Sequence, residues 1–275
     1  MALWQAVLGP VTVDALTPAD LDRFVRERRA GQVTVPEHAL RATVSESTIG
    51  ADIVFLNSVL NWAVRKARLL RENPIAHYER PKTVNPKRPV ATFDRFLAIQ
   101  KVADQVDPFF GSFLALVEAL GWRVSAICHL RAEDVDRTAR SDAPHGRIHK
   151  RGETDKERVD MWVPLSEDGR AALDRLPSIG GYLFATIDGV PWTRWHARYL
   201  LERAEELAGL EPLEGSDFHA YRRKWSTERK HLPDIDVMAA GGWRDPRSLK
   251  NSYQQVDAET LLAVVSEPRK LREAR

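Results

Sequence analysis

Four side chains between Ser216 and Gln255 are of the types that could act on one anion. The stretch reads SDFHAYRRKWSTERKHLPDIDVMAAGGWRDPRSLKNSYQQ. His219 and Arg222 stand at i and i+3, so on a helix they share a face. An imidazole beside a guanidinium fork can grip a single phosphate, the fork through two parallel N–H donors. Gly241-Gly242 can end the following helix in a tight turn. That turn would aim the indole N–H of Trp243 back at the same place. Tyr253 follows ten residues later in a polar segment and need not be a core residue. Taken singly, each has an ordinary reading: helix-cap histidine, ion-paired arginine, core tryptophan, surface tyrosine.

Length and composition frame what these residues can belong to. The chain has 275 residues, 43% hydrophobic and 29% charged, as expected of a globular protein with two domains or one large one. Its longest apolar run, Phe113 to Trp122 (FLALVEALGW), is too short to cross a bilayer and contains Glu118. With no basic n-region and no cleavage site at the N-terminus, a cytoplasmic protein with no membrane partner is expected. The single cysteine, Cys128, precludes an internal disulfide, and in the run AICHL it reads as a buried small hydrophobe. Metal-ligand spacings, a phosphate-binding Walker loop and G-x-G-x-x-G are all absent, so no metal and no cofactor is expected. Residues 1–89 hold 13 Lys+Arg against 9 Asp+Glu, a net of +4, which leaves −2 for the rest of a chain whose total is +2. The basic excess in the first third hints at a polyanionic partner.

The elements that must position the candidate residues can be read in order. Thr17-Pro18-Ala19-Asp20 is a helix start that runs to about Ala30. A longer helix begins near Ser45–Ser47, with Ile49, Ile53, Leu56, Leu60, Ala63 and Ala67 at helical spacing, and Asn73-Pro74 stops it. Its basic end, Arg65, Lys66, Arg68 and Arg71, suits either the helix dipole or phosphates of a nucleic acid. Arg80 to Pro89 (RPKTVNPKRP) combines three prolines with cations, Lys82, Lys87 and Arg88 among them, and no acid. That composition makes an extended strap between two domains, able to track a nucleic-acid backbone. Beyond it, Thr92 caps a helix, and Phe109 to Leu120 is apolar nearly all round, hence buried. Arg123 follows directly, and a buried arginine needs an acid, Glu133 and Asp134 being near in sequence. Arg147–Lys150 and Arg158–Leu165 alternate like the strands of a hairpin, with Lys156 near its turn. YLFAT (182–186) reads as a short strand and Trp195–Ala208 as a helix.

Taken in order, Arg123, Lys156, His219-x-x-Arg222, Trp243 and Tyr253 resemble the tyrosine recombinase (phage integrase) family. LGWRVSAICHLRAEDVD (120–136) resembles the family's first arginine box. KERVDMWVPL (156–165) is similar to its hairpin, where the lysine stands eight residues before the proline; this selects Lys156 over Lys150. FHAYRR (218–223) resembles the H-x-x-R box, GGW (241–243) the Leu-Gly-His box with Trp in place of His, and NSYQQ (251–255) the tyrosine segment. NWAVRKARLLRENPI (61–75) resembles part of the helical core-binding domain. Two departures stand out: Ala126 occupies the position of the family's usual Glu or Asp, and the Trp-to-Tyr interval of ten is one longer than usual.

The resemblance implies a mainly α fold with a small antiparallel β-sheet, and a chain that begins inside the core-binding domain. Residues 1–80 would be that helical DNA-binding domain, 81–89 a basic linker, 90–256 an α+β catalytic domain, and 257–275 a tail docking on a neighbour. It implies a site-specific DNA recombinase that cuts double-stranded DNA through a 3′-phosphotyrosyl intermediate. Tyr253 would be the nucleophile, Arg123 and Arg222 the phosphate clamp, Lys156 the acid for the departing 5′-oxygen, His219 a proton-transfer group and Trp243 a donor. Arg65, Lys66, Arg68, Arg71, Lys82, Lys87 and Arg88 would meet DNA phosphates. The protein would be a monomer when free, a tetramer on synapsed DNA, and nucleoid-associated when bound. Two alternatives remain: a DNA-binding relic that no longer cuts, and a type IB topoisomerase-like activity.

Overall fold

The computed structural model describes residues 2–9, 11–34, 43–82, 88–177 and 180–266. The chain divides into two units, Met1–Pro86 and Lys87–Arg275.

The first unit is helical. It contains α1 (Ala2–Leu8), α2 (Pro18–Arg29) and α3 (Glu46–Arg65). α2 starts where Pro18 presets the first helical φ, and the Thr17 N–H donates to the Asp20 carboxylate at 3.0 Å. Ser45 caps α3 by accepting from the Thr48 N–H. Leu21, Phe24 and Val25 of α2 pack on Ile49, Ile53, Leu56 and Leu60 of α3, with Trp4 and Ile75 closing the core. α3 ends at Arg65, two residues short of the predicted Ala67, and the chain then turns through Arg68 at a left-handed φ of 54°. Asn73 ties the following segment back to the helix, its Nδ2 donating to the side-chain oxygens of Asn57 (2.7 Å) and Asn61 (2.9 Å).

The second unit is built around one buried helix. α4 (Phe93–Gln100), capped by Thr92, and α5 (Ala103–Val106) lead into α6 (Phe110–Leu120). α6 is buried from Phe110 to Val117, and Phe113 meets Phe184, Trp192 and Phe218. α7 (Val124–Cys128) follows after three residues, Gly121, Trp122 and Arg123. Cys128 is buried, and burial pushes its thiol up to about 12, which suits a packing role.

The sheet has order β1-β2-β3, all antiparallel: β1 (Val135–Asp136), β2 (Arg147–Lys150) and β3 (Met161–Pro164). Ile148 faces Val163 and Lys150 faces Met161 across the hairpin. β1 is a strand that alternation did not reveal, being only two residues long. YLFAT forms no strand; Tyr182 and Ala185 make single isolated bridges, and Phe184 is buried among aromatics instead. α8 (Glu167–Asp174) and α9 (Arg194–Leu207) complete this layer. α10 (His219–Glu228), α11 (Asp234–Gly241), α12 (Pro246–Ser248) with a π-helical turn (Leu249–Tyr253), and α13 (Ala258–Ser266) follow. The expected mainly helical fold with a small antiparallel sheet is the observed one.

Candidate active site

The ends of three helices and one hairpin converge on the candidate residues. α6 stops at Gly121, whose φ is 61°. A Cβ there would lie 2.4 Å from the Trp225 ring, so both the backbone hand and the close indole demand glycine. The turn delivers Trp122, whose Nε1 donates to the Ala240 carbonyl at 2.8 Å, and Arg123 at the head of α7. The partners of Arg123 are neither Glu133 nor Asp134. Its Nη1 donates to Asp155 Oδ1 (2.9 Å) and its Nη2 to Glu157 Oε1 (3.1 Å), both acids of the β2–β3 connection. Glu133 and Asp134 pair with Arg151 instead.

Arg222, on the first turn of α10, is 1% exposed. Its Nη1 donates to the Gly121 carbonyl and, at 2.8 Å, to that of Gly241. Its Cζ lies 3.5 Å from the centre of the Trp243 ring and 5.1 Å from that of Tyr253. Burial pulls its pKa down to about 9, with Tyr253 opposing and Arg123 adding to the fall. Arg222 Nε and Nη2 are buried without an acceptor, and so is Trp243 Nε1.

α11 ends at Gly241, and Gly242 takes a left-handed φ of 75°. Trp243 is thereby turned inward, edge-on to Tyr253 at 5.1 Å and stacked on Trp225 at 6.1 Å. The π-helical turn brings Tyr253 Oη to 3.5 Å from His219 Nδ1, long for a hydrogen bond. Burial, helped by Arg222, Arg223 and Arg123, lowers the pKa of His219 to about 4, so the imidazole is neutral at neutral pH.

His219, Arg222, Trp243 and Tyr253, four of the six predicted residues, thus meet through a continuous set of contacts, and Arg123 lies near enough to act on the charges of Arg222 and His219. Lys156 is exposed and stands outside that set. The lysine that joins it is Lys150, the last residue of β2, 1% exposed. Its Nζ is 3.0 Å from Asp155 Oδ2, close enough for an ion pair but off the angle of a hydrogen bond. A Cβ on Gly242 would lie 1.8 Å from that Nζ, so this glycine makes the room for it. Burial lowers the pKa of Lys150, Asp155 opposes the fall, and Arg222 and Arg123 add to it. For Asp155 burial acts to raise the pKa, but Lys150 and Arg123 outweigh it and hold the carboxyl below its usual range.

Sequence reasoning missed Lys150, Asp155 and Glu157 as members of the site. Alternation carried the signal for the first. Ile148 is an inward residue of β2, so Lys150, two further on, points the same way. The eight-residue spacing to Pro164 took precedence over it.

Of the proposed DNA contacts, Arg65, Lys66, Arg68, Arg71 and Lys82 are exposed, and none is paired with an acid among the described residues. Arg88 is exposed too, with Nη1 donating to the Gly215 carbonyl at 2.5 Å. Lys87 lies outside the described residues. Among the described residues no group of His, Cys, Asp and Glu could hold a metal ion, and no helix is long and apolar enough to cross a membrane.

Residues 99–260 match the phage integrase family, and the chain belongs to that family, the tyrosine recombinases. Solved structures that share the fold include these three. A Tn1549 transposon integrase in complex with transposon right end DNA aligns over 96% of this chain and 89% of its own, at 17% identity and a TM-score of 0.71. A lambda integrase dimer bound to a COC′ core site aligns over 97% of this chain and 71% of its own, at 17% identity and 0.66. XerA recombinase aligns over 98% and 90%, at 17% identity and 0.54. Comparison with curated proteins gave no match.

Proposed function

We propose that this chain cuts and rejoins double-stranded DNA through a 3′-phosphotyrosyl intermediate on Tyr253. The observation that carries the reading is a set of buried donors without acceptors: Arg222 Nε and Nη2 and Trp243 Nε1. Each such group costs about 1–3 kcal/mol when left unsatisfied, and all three are donors. A phosphate supplies acceptors alone and is the complement of such a set.

In this reading Tyr253 Oη attacks the scissile phosphorus and its proton passes to the neutral His219. The new O–P bond forms as the P–O5′ bond breaks. The electron pair leaves on O5′, which takes a proton from Lys150. Arg222 and Arg123 hold the non-bridging oxygens while charge builds on them. Arg123 must first exchange Asp155 and Glu157 for phosphate. Rejoining runs the same steps backward with a 5′-hydroxyl of the other strand, and the phosphotyrosine keeps the bond energy meanwhile. Lys150 takes the acid role because it is the buried lysine beside both arginines; Lys156 is the alternative that the sequence spacing offers.

The first unit would be the core DNA-binding domain, with Arg65, Lys66, Arg68, Arg71 and Lys82 on phosphates; the second would be the catalytic domain, with Lys87 and Arg88 at its start on phosphates too. The protein would be cytoplasmic and nucleoid-associated, a monomer when free and a tetramer on synapsed DNA. The tail after Val256 would dock on a neighbouring protomer. The second reading is a relic that binds without cutting; the occupation of both Arg123 Nη groups by acids favours it.

The test is covalent trapping. Purified protein is incubated with a library of nicked, randomised duplexes, and DNA that stays attached in denaturant is recovered. The wild type should yield adducts mapping to Tyr253, and Tyr253→Phe should yield none while still shifting the same DNA in a gel. Tyr221 is no rival, being 0% exposed, with burial raising its pKa. Retained binding with no adduct would leave the relic.

A further inference from the structure

The chain has Ala126 where its family usually has an acid, and Ala126 is buried in the core. Yet the pocket is not without a carboxylate. Asp155 is placed between Arg123 and Lys150, with Oδ1 2.9 Å from Arg123 Nη1 and Oδ2 3.0 Å from Lys150 Nζ. Its side chain is 0% exposed. Both ends of the carboxylate are therefore spent on the two cations of the β-hairpin side of the site.

We infer that Asp155 is a positioning residue that keeps Lys150 charged and aimed as the proton donor, filling from the hairpin the role that no acid fills from position 126. The inference rests on the proposed strand-transfer reading. Arg123 from the head of α7 and Arg222 from α10 repel the charge of Lys150, the Trp122 ring lies 5.9 Å away, and Gly242 offers only backbone. Asp155 is the one anion among these, and only the weaker cation–π attraction of the Trp122 ring acts with it. Arg123 is differently placed, because it also holds Glu157 at 3.1 Å and can trade either acid for a phosphate oxygen. Lys150 has no second acid partner among the described residues. An acid catalyst must carry its proton when the phosphate arrives. Burial beside two guanidinium groups works against that, and Asp155 offsets it.

Two measurements test the inference. The first needs no DNA: the Lys150 side-chain nitrogen is titrated by NMR in the wild type, Asp155→Asn and Asp155→Glu, with Lys150→Arg to assign the signal. The Lys150 midpoint should fall in Asp155→Asn and return toward wild type in Asp155→Glu. An unchanged midpoint in Asp155→Asn overturns the inference. The second is the pH profile of adduct formation. In Asp155→Asn the alkaline limb should move to lower pH, costing about tenfold in rate on that side. A substrate with sulfur at the bridging 5′ position, whose thiolate leaves without a proton, should show no such move. An equal loss on the oxygen and sulfur substrates at every pH would mean that Asp155 only holds the hairpin in place. A midpoint that falls in Asp155→Asn, together with a wild type that forms no adduct, would uphold the coupling and reject the strand-transfer reading, so the two failures are distinguishable.

Discussion

The Arg222 guanidinium sits over the Trp243 ring, its Cζ 3.5 Å from the ring centre. Stacking on one face and carbonyls from Gly121 and Gly241 at Nη1 fix the fork while leaving Nε and Nη2 unspent. A desolvated cation–π pair is worth about 2 kcal/mol, and Trp243 also covers Trp225 and Tyr253. Trp243→Ala should therefore cost about 3–5 kcal/mol in chemical denaturation. Trp243→Phe keeps the stack and removes only the indole donor. It should cost much less stability while slowing adduct formation, a split that denaturation curves and single-turnover rates will show.

The choice between the two lysines can be made by chemistry. Lys150→Ala should slow cleavage of an ordinary duplex by about 100-fold or more, the usual scale of general-acid catalysis. The sulfur-bridged substrate should restore it. Lys156→Ala should leave both rates within a few-fold of wild type. Rescue of Lys156→Ala in place of Lys150→Ala would return the role to the exposed lysine.

His219 predicts a pH dependence of stability. Its pKa falls from 6.5 when unfolded to about 4 when folded. Between those values the unfolded chain binds more protons, so stability drops as pH falls from 6.5 toward 4, and His219 adds no slope above that window. His219→Gln should flatten this part of the profile in urea titrations run across the range. An unchanged slope would show that the imidazole titrates at its ordinary value.

Phosphate contacts should appear in the salt dependence of DNA binding. Neutralising Arg65, Lys66, Arg68, Arg71 or Lys82 one at a time should lower the slope of log K against log salt by about one unit each. Arg88 also holds the Gly215 carbonyl, so its loss should lower the melting temperature as well. A slope that stays at the wild-type value would assign that cation to its own helix end or linker.

The tail leaves an apolar surface uncovered. Leu261, Leu262, Val264 and Val265 of α13 are all exposed. A short helix with an apolar face gains little alone in water. Deleting residues 258–275 should weaken cooperative assembly on DNA with two half-sites and spare binding to one half-site. Equal loss on both, read by gel shift, would mean that the helix serves its own unit.

The sequence by itself determined what is local. Thr17, Ser45 and Thr92 mark helix starts because a cap acts on N–H groups within one turn. The apolar run before Gly121, from Phe113 to Leu120 with Glu118 its one charge, makes α6 a buried helix whatever surrounds it. His219 and Arg222 share a helix turn, and Gly242 turns Trp243, by backbone geometry alone. Tertiary structure decided which charges meet. Arg123 could have paired with Glu133 or Asp134 at short range, but Arg151 takes those, and the β2–β3 connection brings Asp155 and Glu157 to it from more than thirty positions away. The same folding turned Lys150 inward and left Lys156 in water. Charge–charge attraction depends on distance and burial, not on order along the chain. A spacing rule could therefore find a lysine, but only the packed hairpin says which one lies beside the arginines.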